Sequence, residues 1–439
     1  MGQADPPRIA WSSCGDGFQC AYVPVPLDYD RPTDGTITVA PLRLPAADPA
    51  KRKGLLFINP GGPGGSGVGS VRSTGKGHPQ EVRDAYDLVG FDPRGVRGST
   101  PLRCFDDEED ALAAQHRQKF PVTAADIAEW QKVDRVFADA CAAHGRPILE
   151  HMSTANVARD LDLLRRALGD PRLNYLGYSC GSYIGMTYAT ISPPASGRSS
   201  STGCSTPSNG RPATGRRLAP SRSRPASTAP RAVRTPWTSP TRSATRPATA
   251  ARCPATRGPA TRRCWNGRRS NPIPYPGLPD YLMSYDAIIG ATLSGLYTPR
   301  WSGTADFLAQ LEAEPQASAA AGTPSVAAPV TAGRSPAFGD YPQFEAFAAV
   351  PCSETDNPTA FSAWGRAADK AAVRYPHFGR YWTWDSSVCD VWPARDADRY
   401  TGPWRRRRRT RSWSRATTTT PPLPMRVPSP RPGCSRTRA

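Results

Sequence analysis

The chain has 439 residues, with 56 Lys and Arg against 37 Asp and Glu and a formal net charge of +19. That length suits one large domain with an insertion rather than two independent domains, and no apolar run reaches the roughly 18 residues that a membrane-spanning helix needs. The charge alone would point to nucleic acid or an acidic surface as partner. However, residues 192–270 hold 16 Arg and 405–439 hold 11, with no Lys, Asp or Glu in either, so 29 basic residues face 37 acidic ones elsewhere.

Taken in chain order, the alternating runs Cys20 to Tyr29 and Thr36 to Leu44 predict an N-terminal β segment. Leu55 to Ile58 reads as a buried strand that enters the almost bare backbone of Asn59-Pro60-Gly61-Gly62-Pro63-Gly64-Gly65-Ser66-Gly67. Such a loop offers amides to an oxyanion without a Cβ in the way, and Gly61 and Gly62 are its candidate donors. A phosphate-binding loop is the rival reading, but it lacks the Lys-Ser/Thr ending and two prolines remove donors. Tyr86 to Phe91 predicts another buried strand, followed by the turn Asp92 to Ser99, in which Arg94 is expected to brace the floor of the site. Asn156 to Leu168 predicts a helix, capped by Ser153 or Thr154, lined by Val157, Leu161, Leu164 and Leu168, and ended by Gly169.

The most specific signal is Gly177-Tyr178-Ser179-Cys180-Gly181, entered by the strand-like Leu173 to Leu176 and left by the helix-like Ser182 to Ala189. A strand turning at once into a helix forces its central serine into a strained conformation, and glycines two before and two after let the backbones pass. Ser179 is thereby the expected nucleophile. The Cys180 amide, at the start of the new helix, is expected to face the oxyanion.

Residues 192–270 and 405–439 are rich in Pro, Ser, Thr, Ala and Arg without apolar periodicity, so neither is expected to bury a core. Three readings are open for them: a disordered basic linker and tail, a nucleic-acid-binding arm, or translation in the wrong frame. The third is favoured. Read one base out of frame with GC-rich codons, residues 195–208 permit RVGTIVLDGVFDPV, a strand ending in an acidic turn. The same offset over residues 412–426 permits VLVAGNDYDPATPYA.

The runs NPGGPGGSG, DLVGFDPRGVRGST, STANVARDLDLLRRALG and LNYLGYSCGSYIG, in this order, resemble the secreted bacterial tripeptidyl and prolyl aminopeptidase group of α/β-hydrolases. The resemblance covers residues 8 to about 191. It resumes from Asn271 to Trp404, where SYDAIIGATLSGLYTPRW, PCSETDNP and FGRYWTWDSSVCDVWPARDADRYTGPW are similar to the group's cap. It implies a mostly parallel sheet with a helical cap, Ser-His-Asp acyl transfer, and peptide substrates with a free N-terminus. The organisation expected is a hydrolase part at 1–191, an out-of-frame segment at 192–270, the cap at 271–404 and an out-of-frame tail at 405–439, which leaves the C-terminal half of the sheet incomplete.

In this fold the acid and the histidine follow the serine. Of the five histidines, His377 alone lies after Ser179, and it reads as a packed cap residue rather than a base. Little or no peptidase activity is therefore expected from the chain as written. An aminopeptidase also needs a carboxylate for the substrate's ammonium; Glu354 is the first candidate and Asp356 the second, each against the plainer reading of a solvated loop acid. The aromatics Trp364, Tyr381, Trp382, Trp384 and Trp392 line a channel or pack, with packing favoured.

Six cysteines outside the Arg-rich segments and the elbow suit three disulfides in an oxidising compartment. By resemblance Cys14 pairs with Cys20, Cys104 with Cys141 and Cys352 with Cys389. No cofactor, metal, nucleic acid or membrane partner is expected, and the chain reads as an extracellular monomer by resemblance, although Met1 leads into Asp5-Pro6-Pro7 without a signal peptide. An ester hydrolase of the same fold and a noncatalytic basic nucleic-acid-binding remnant are the alternatives.

Overall fold

Valine and isoleucine at alternate positions build the centre of the molecule. Val23 and Val25 face Val39 and Ile37 across an antiparallel pair, and all four are buried. A computed structural model describes residues 4–192, 195–201, 273–275, 278–297, 301–313 and 344–402. Its main sheet contains β1 (Ser12–Ser13), β2 (Gln19–Cys20), β3 (Val23–Pro26), β4 (Thr36–Leu44), β5 (Gly54–Asn59), β6 (Tyr86–Asp92), β7 (Leu173–Gly177) and β8 (Ser196–Ser201). The order is β1-β2-β4-β6-β5-β7-β8, with β3 on β4. β6, β5, β7 and β8 run parallel, and β4 closes antiparallel on β6.

Parallel neighbours need crossovers, and the helices supply them. Helices α1 (Gly67–Thr74) and α2 (Gln80–Ala85) link β5 to β6. Next come α3 (Glu108–Ala113), α4 (Ala124–His144) and α5 (Thr154–Ala167) before β7, and α6 (Gly181–Ile191) before β8. α4 starts on a reciprocal cap in which Asp126 N donates to Thr123 Oγ1 at 3.1 Å and Thr123 N donates to Asp126 Oδ2 at 2.7 Å. α5 begins two residues ahead of Asn156 because Ser153 Oγ accepts from Asn156 N at 3.3 Å. It ends before Gly169, whose φ of +73° suits glycine.

Two expectations are corrected. The N-terminal run from Cys20 to Tyr29 is not one strand: it divides into β2 and β3, and Tyr29 leaves the sheet so that its hydroxyl donates to Asp160 Oδ1 at 2.8 Å. Residues 192–270 are not wholly without an element either, since β8 pairs parallel with β7 from Ser196 opposite Leu173 to Ser201 opposite Gly177. Its Ser-Gly-Arg-Ser sequence has no apolar face, and backbone hydrogen bonding to β7 is what it contributes. Residues 202–270 and 405–439 lie outside the described residues.

A second layer of helices, Tyr285–Leu296, Trp301–Ala313, Glu345–Glu354, Phe361–Arg374 and Phe378–Trp384, follows the sheet in sequence. Trp364 and Trp384 are buried here, whereas Trp382 is 49% exposed, so the aromatics divide between packing and surface. Polar contacts tie this layer to the sheet domain. Trp130 Nε1 donates to Ser387 Oγ at 2.8 Å, and Ser387 Oγ donates to Asp134 Oδ2 at 2.6 Å. Asp396 Oδ2 accepts from Ser153 N at 2.8 Å and from Asn156 Nδ2 at 3.0 Å, at the start of α5.

Candidate active site

β7 ends at Gly177 and α6 begins at Gly181, so Tyr178, Ser179 and Cys180 make the whole turn between them. Ser179 holds a φ of +47°, a left-handed conformation that costs a non-glycine residue roughly 1–3 kcal/mol. The flanking glycines have a measurable cause. A Cβ on Gly177 would lie 2.6 Å from Gly181 O, and one on Gly181 would lie 2.6 Å from Asn59 Oδ1. Ser179 itself is half-buried at the end of the sheet.

The glycine-rich loop after β5 lies directly on this turn. A Cβ on Gly61, whose φ is +94°, would stand 2.5 Å from Tyr178 O and 2.9 Å from Cys180 N. Asn59, which sequence reasoning did not single out, joins the two segments. Its backbone oxygen accepts from Tyr178 N at 3.0 Å and its Oδ1 accepts from Gly61 N at 2.8 Å. The one available signal was an amide side chain at the buried end of a strand, immediately before Pro-Gly-Gly.

That second bond corrects the role of Gly61. Its N–H is engaged by Asn59 and so is not offered to an oxyanion, and Gly61 serves as a spacer. Asp92, at the end of β6, anchors the far side of the loop: its Oδ1 accepts from Ser66 Oγ at 2.5 Å and from Val68 N at 3.2 Å, and its Oδ2 accepts from Gly98 N at 3.1 Å. Burial pushes this carboxyl above its ordinary range against those three donors. Arg94 lies deeper, paired with Asp160 at 2.7 Å with both side chains fully buried, and it also donates to the carbonyls of Pro26 and Leu27.

The two carboxylates expected to bind substrate sit in different settings. Glu354 is not on a solvated loop; it ends the helix Glu345–Glu354 and is only 9% exposed. It accepts from Thr154 N at 2.8 Å and from Thr154 Oγ1 at 3.1 Å. Burial, with the charges of Asp396 and Cys180 adding to it, pushes its carboxyl up to about 7 despite the Thr154 bonds. Asp356 is exposed and is paired with Arg395 at 3.2 Å and Arg399 at 3.0 Å. Glu354 thus sits at a helix terminus with Thr154 as its partner, and Asp356 is paired with two arginines at the surface.

His377 Nδ1 is 2.8 Å from the hydroxyl of Tyr285. Among the described residues, no histidine is hydrogen-bonded to Ser179, and no group of three or more potential ligands could hold a metal. Disulfides join Cys14 to Cys20, Cys104 to Cys141 and Cys352 to Cys389, and the half-buried Cys180 lies outside any disulfide.

Residues 54–195 match a family model described as the alpha/beta hydrolase fold. Over 194 residues the chain is 41% identical to tripeptidyl aminopeptidase of Streptomyces lividans, covering 42% of this chain and 36% of that protein. It is 38% identical over 197 residues to serine protease Hip1 of Mycobacterium tuberculosis, covering 42% and 37% of the two chains. It is also 37% identical over 174 residues to carboxylesterase B of the same organism, covering 37% and 33%. The chain thus spans little more than a third of the length of the curated relatives it matches.

Proposed function

We propose that this chain, which matches the alpha/beta hydrolase fold over residues 54–195 and is similar over part of its length to a tripeptidyl aminopeptidase, is built as an extracytoplasmic serine hydrolase that forms an acyl-enzyme at Ser179 and takes peptides with a free N-terminus. The observation that carries the reading is the left-handed Ser179 on the β7–α6 turn, with the Gly61 loop stacked on it. In such a step Ser179 Oγ adds to the scissile carbonyl as its proton passes to solvent, the oxyanion takes hydrogen bonds from the amides of Gly62 and Cys180, and collapse of the adduct breaks the scissile bond, leaving the acyl group on Ser179 while the departing group takes a proton from solvent. Three disulfides support an oxidising compartment.

Because no described histidine bonds to Ser179, the proposal includes weak turnover. Loss of a triad member leaves roughly 10³–10⁴-fold acceleration over water, carried by the oxyanion amides and substrate binding. The test is an organophosphonate probe followed by peptide mapping, beside turnover of peptide anilides. Slow labelling confined to Ser179 and abolished by Ser179→Ala, with turnover near background, is the expected outcome. Robust turnover removed by Ser179→Ala would overturn the low-activity part, and failure of any probe to mark Ser179 would overturn the hydrolase part. The carboxylesterase relative favours a second reading, ester hydrolysis at the same serine, which predicts that simple acyl esters outpace peptide anilides.

A further inference from the structure

The three disulfides differ in reach. Cys104, Cys141, Cys352 and Cys389 are all buried, whereas Cys14 and Cys20 are only half-buried and their loop, Gly15 to Gly17, is exposed. They also differ in the chain they close, with partners six residues apart here and 37 apart in each of the others. A short ring restricts the unfolded chain least, so opening it costs the fold least. The loop has bonds of its own besides: Cys14 N donates to Phe18 O at 3.0 Å, Phe18 N to Gly15 O at 2.9 Å, and Ser12 Oγ to Cys20 O at 3.2 Å. Cys20 is also paired with Leu42 of β4, so its place in the sheet does not depend on the sulfurs.

Arg72, on the exposed side of α1, sets this bridge apart. Its Nη2 donates to Cys14 Sγ at 3.5 Å and to Cys20 Sγ at 3.6 Å, and its Nη1 donates to Cys14 O at 3.4 Å. The guanidinium lies over the Phe18 ring at 5.2 Å, and Lys76, four residues on, reaches the same ring at 5.5 Å. Phe18 is buried, so it forms a fixed shelf for both cations. Asp16 is the acid of the loop, in a left-handed conformation at φ +54° between Gly15 at +86° and Gly17 at +80°. A cation touching both sulfurs gains little from a neutral disulfide. It acts when the bond breaks, because the sulfur that leaves is a thiolate, and whichever one leaves does so against Arg72.

We propose that Cys14–Cys20 is a thiol-exchange site, which an external dithiol reduces while the two buried disulfides stay closed, with Arg72 speeding the exchange. One thiolate of the dithiol adds to one sulfur of the bridge, the S–S bond breaks, and the other sulfur leaves as a thiolate paired with Arg72. The second thiol of the reagent loses its proton to solvent and displaces the mixed disulfide. The dithiol departs as a disulfide, and its two electrons stay on Cys14 and Cys20 with two protons returned by solvent. Because the same cation stabilises the reduced form, this bridge is the most oxidising of the three.

The test is timed reduction of the oxidised full chain with dithiothreitol, quenched with iodoacetamide and read by peptide mapping. Cys14 and Cys20 are expected to become alkylated about tenfold or more faster than Cys104, Cys141, Cys352 and Cys389, with the near-ultraviolet circular dichroism preserved. Arg72→Gln should slow that step about fivefold, Arg72→Lys should restore most of the rate, and salt at about 1 M should slow the wild type toward Arg72→Gln. An arginine with only a structural role would leave the salt dependence flat. Opening of all three bridges together, or of a buried one first, would overturn the proposal. A wild-type rate indifferent to salt, or an Arg72→Gln rate equal to that of the wild type, would overturn it as well. If Arg72→Gln loses its near-ultraviolet signal before reduction, the salt dependence of the wild type and the rate of Arg72→Lys decide in its place.

Discussion

An alanine at position 61 would have to hold a φ of +94° and place its Cβ 2.5 Å from Tyr178 O. Both demands fall on backbone atoms that cannot swing aside. Gly61→Ala is therefore expected to cost about 2 kcal/mol or more, read as a lower urea midpoint, and to slow phosphonate labelling of Ser179 because Cys180 N must shift with the loop. The spacing of Gly177, Ser179 and Gly181 could be read from the sequence because its cause is local: five residues of one turn. Asn59 could not be, because its importance comes from accepting bonds from Gly61, two residues on, and from Tyr178, 119 residues on, and only the fold brings those donors together. The exposure of Glu354 was misread for the same reason. Its partner Thr154 is 200 residues away, so a cap carboxylate next to a cysteine looked like a loop acid.

At the scale of elements, α5 has an unusual start. Its first amides receive not only the local Ser153 cap but also two acids from the cap layer, Glu354 on Thr154 N and Asp396 on Ser153 N. This makes stability depend on pH in a defined direction. The Glu354 carboxyl, ordinarily near 4.5, keeps its proton in the folded state up to about 7. Between those values the folded chain binds more protons than the unfolded chain, so stability falls as pH rises, and the loss is complete above 7. Glu354→Gln is expected to lack this loss, so its stability relative to wild type should rise by on the order of 2 kcal/mol between pH 4.5 and 7.5, measured by chemical denaturation at fixed ionic strength. A difference that is flat with pH would contradict the burial that raises this carboxyl. Asp385 shifts in the same direction, to about 6, in both proteins and so drops out of the comparison. Strands β5, β6 and β7 were legible because apolar runs ended in glycine or proline signals. β8 was not, because it is held by backbone pairing and its Ser and Arg side chains carry no period.

Across the whole molecule, a largely parallel sheet carries the Ser179 turn while the helical layer supplies Glu354 and Asp396 to the start of α5. Cys352–Cys389 ties that layer together across 37 residues of sequence, joining the helix that ends in Glu354 to the turn after Asp385. Replacing both cysteines with alanine is expected to lower unfolding free energy by about 3 kcal/mol, with urea denaturation as the readout. An unchanged value would mean that the layer is held without it. The same arrangement has a consequence in time. The acids that complete the start of α5 lie 200 and 243 residues downstream of their partners. At a synthesis rate of roughly 5–20 residues per second, that helix spends about 10–50 s outside the ribosome before its last two caps have been made. A chaperone that shelters nascent chains would meet it in that interval, with the Ser179 turn already translated and the helical layer still to come.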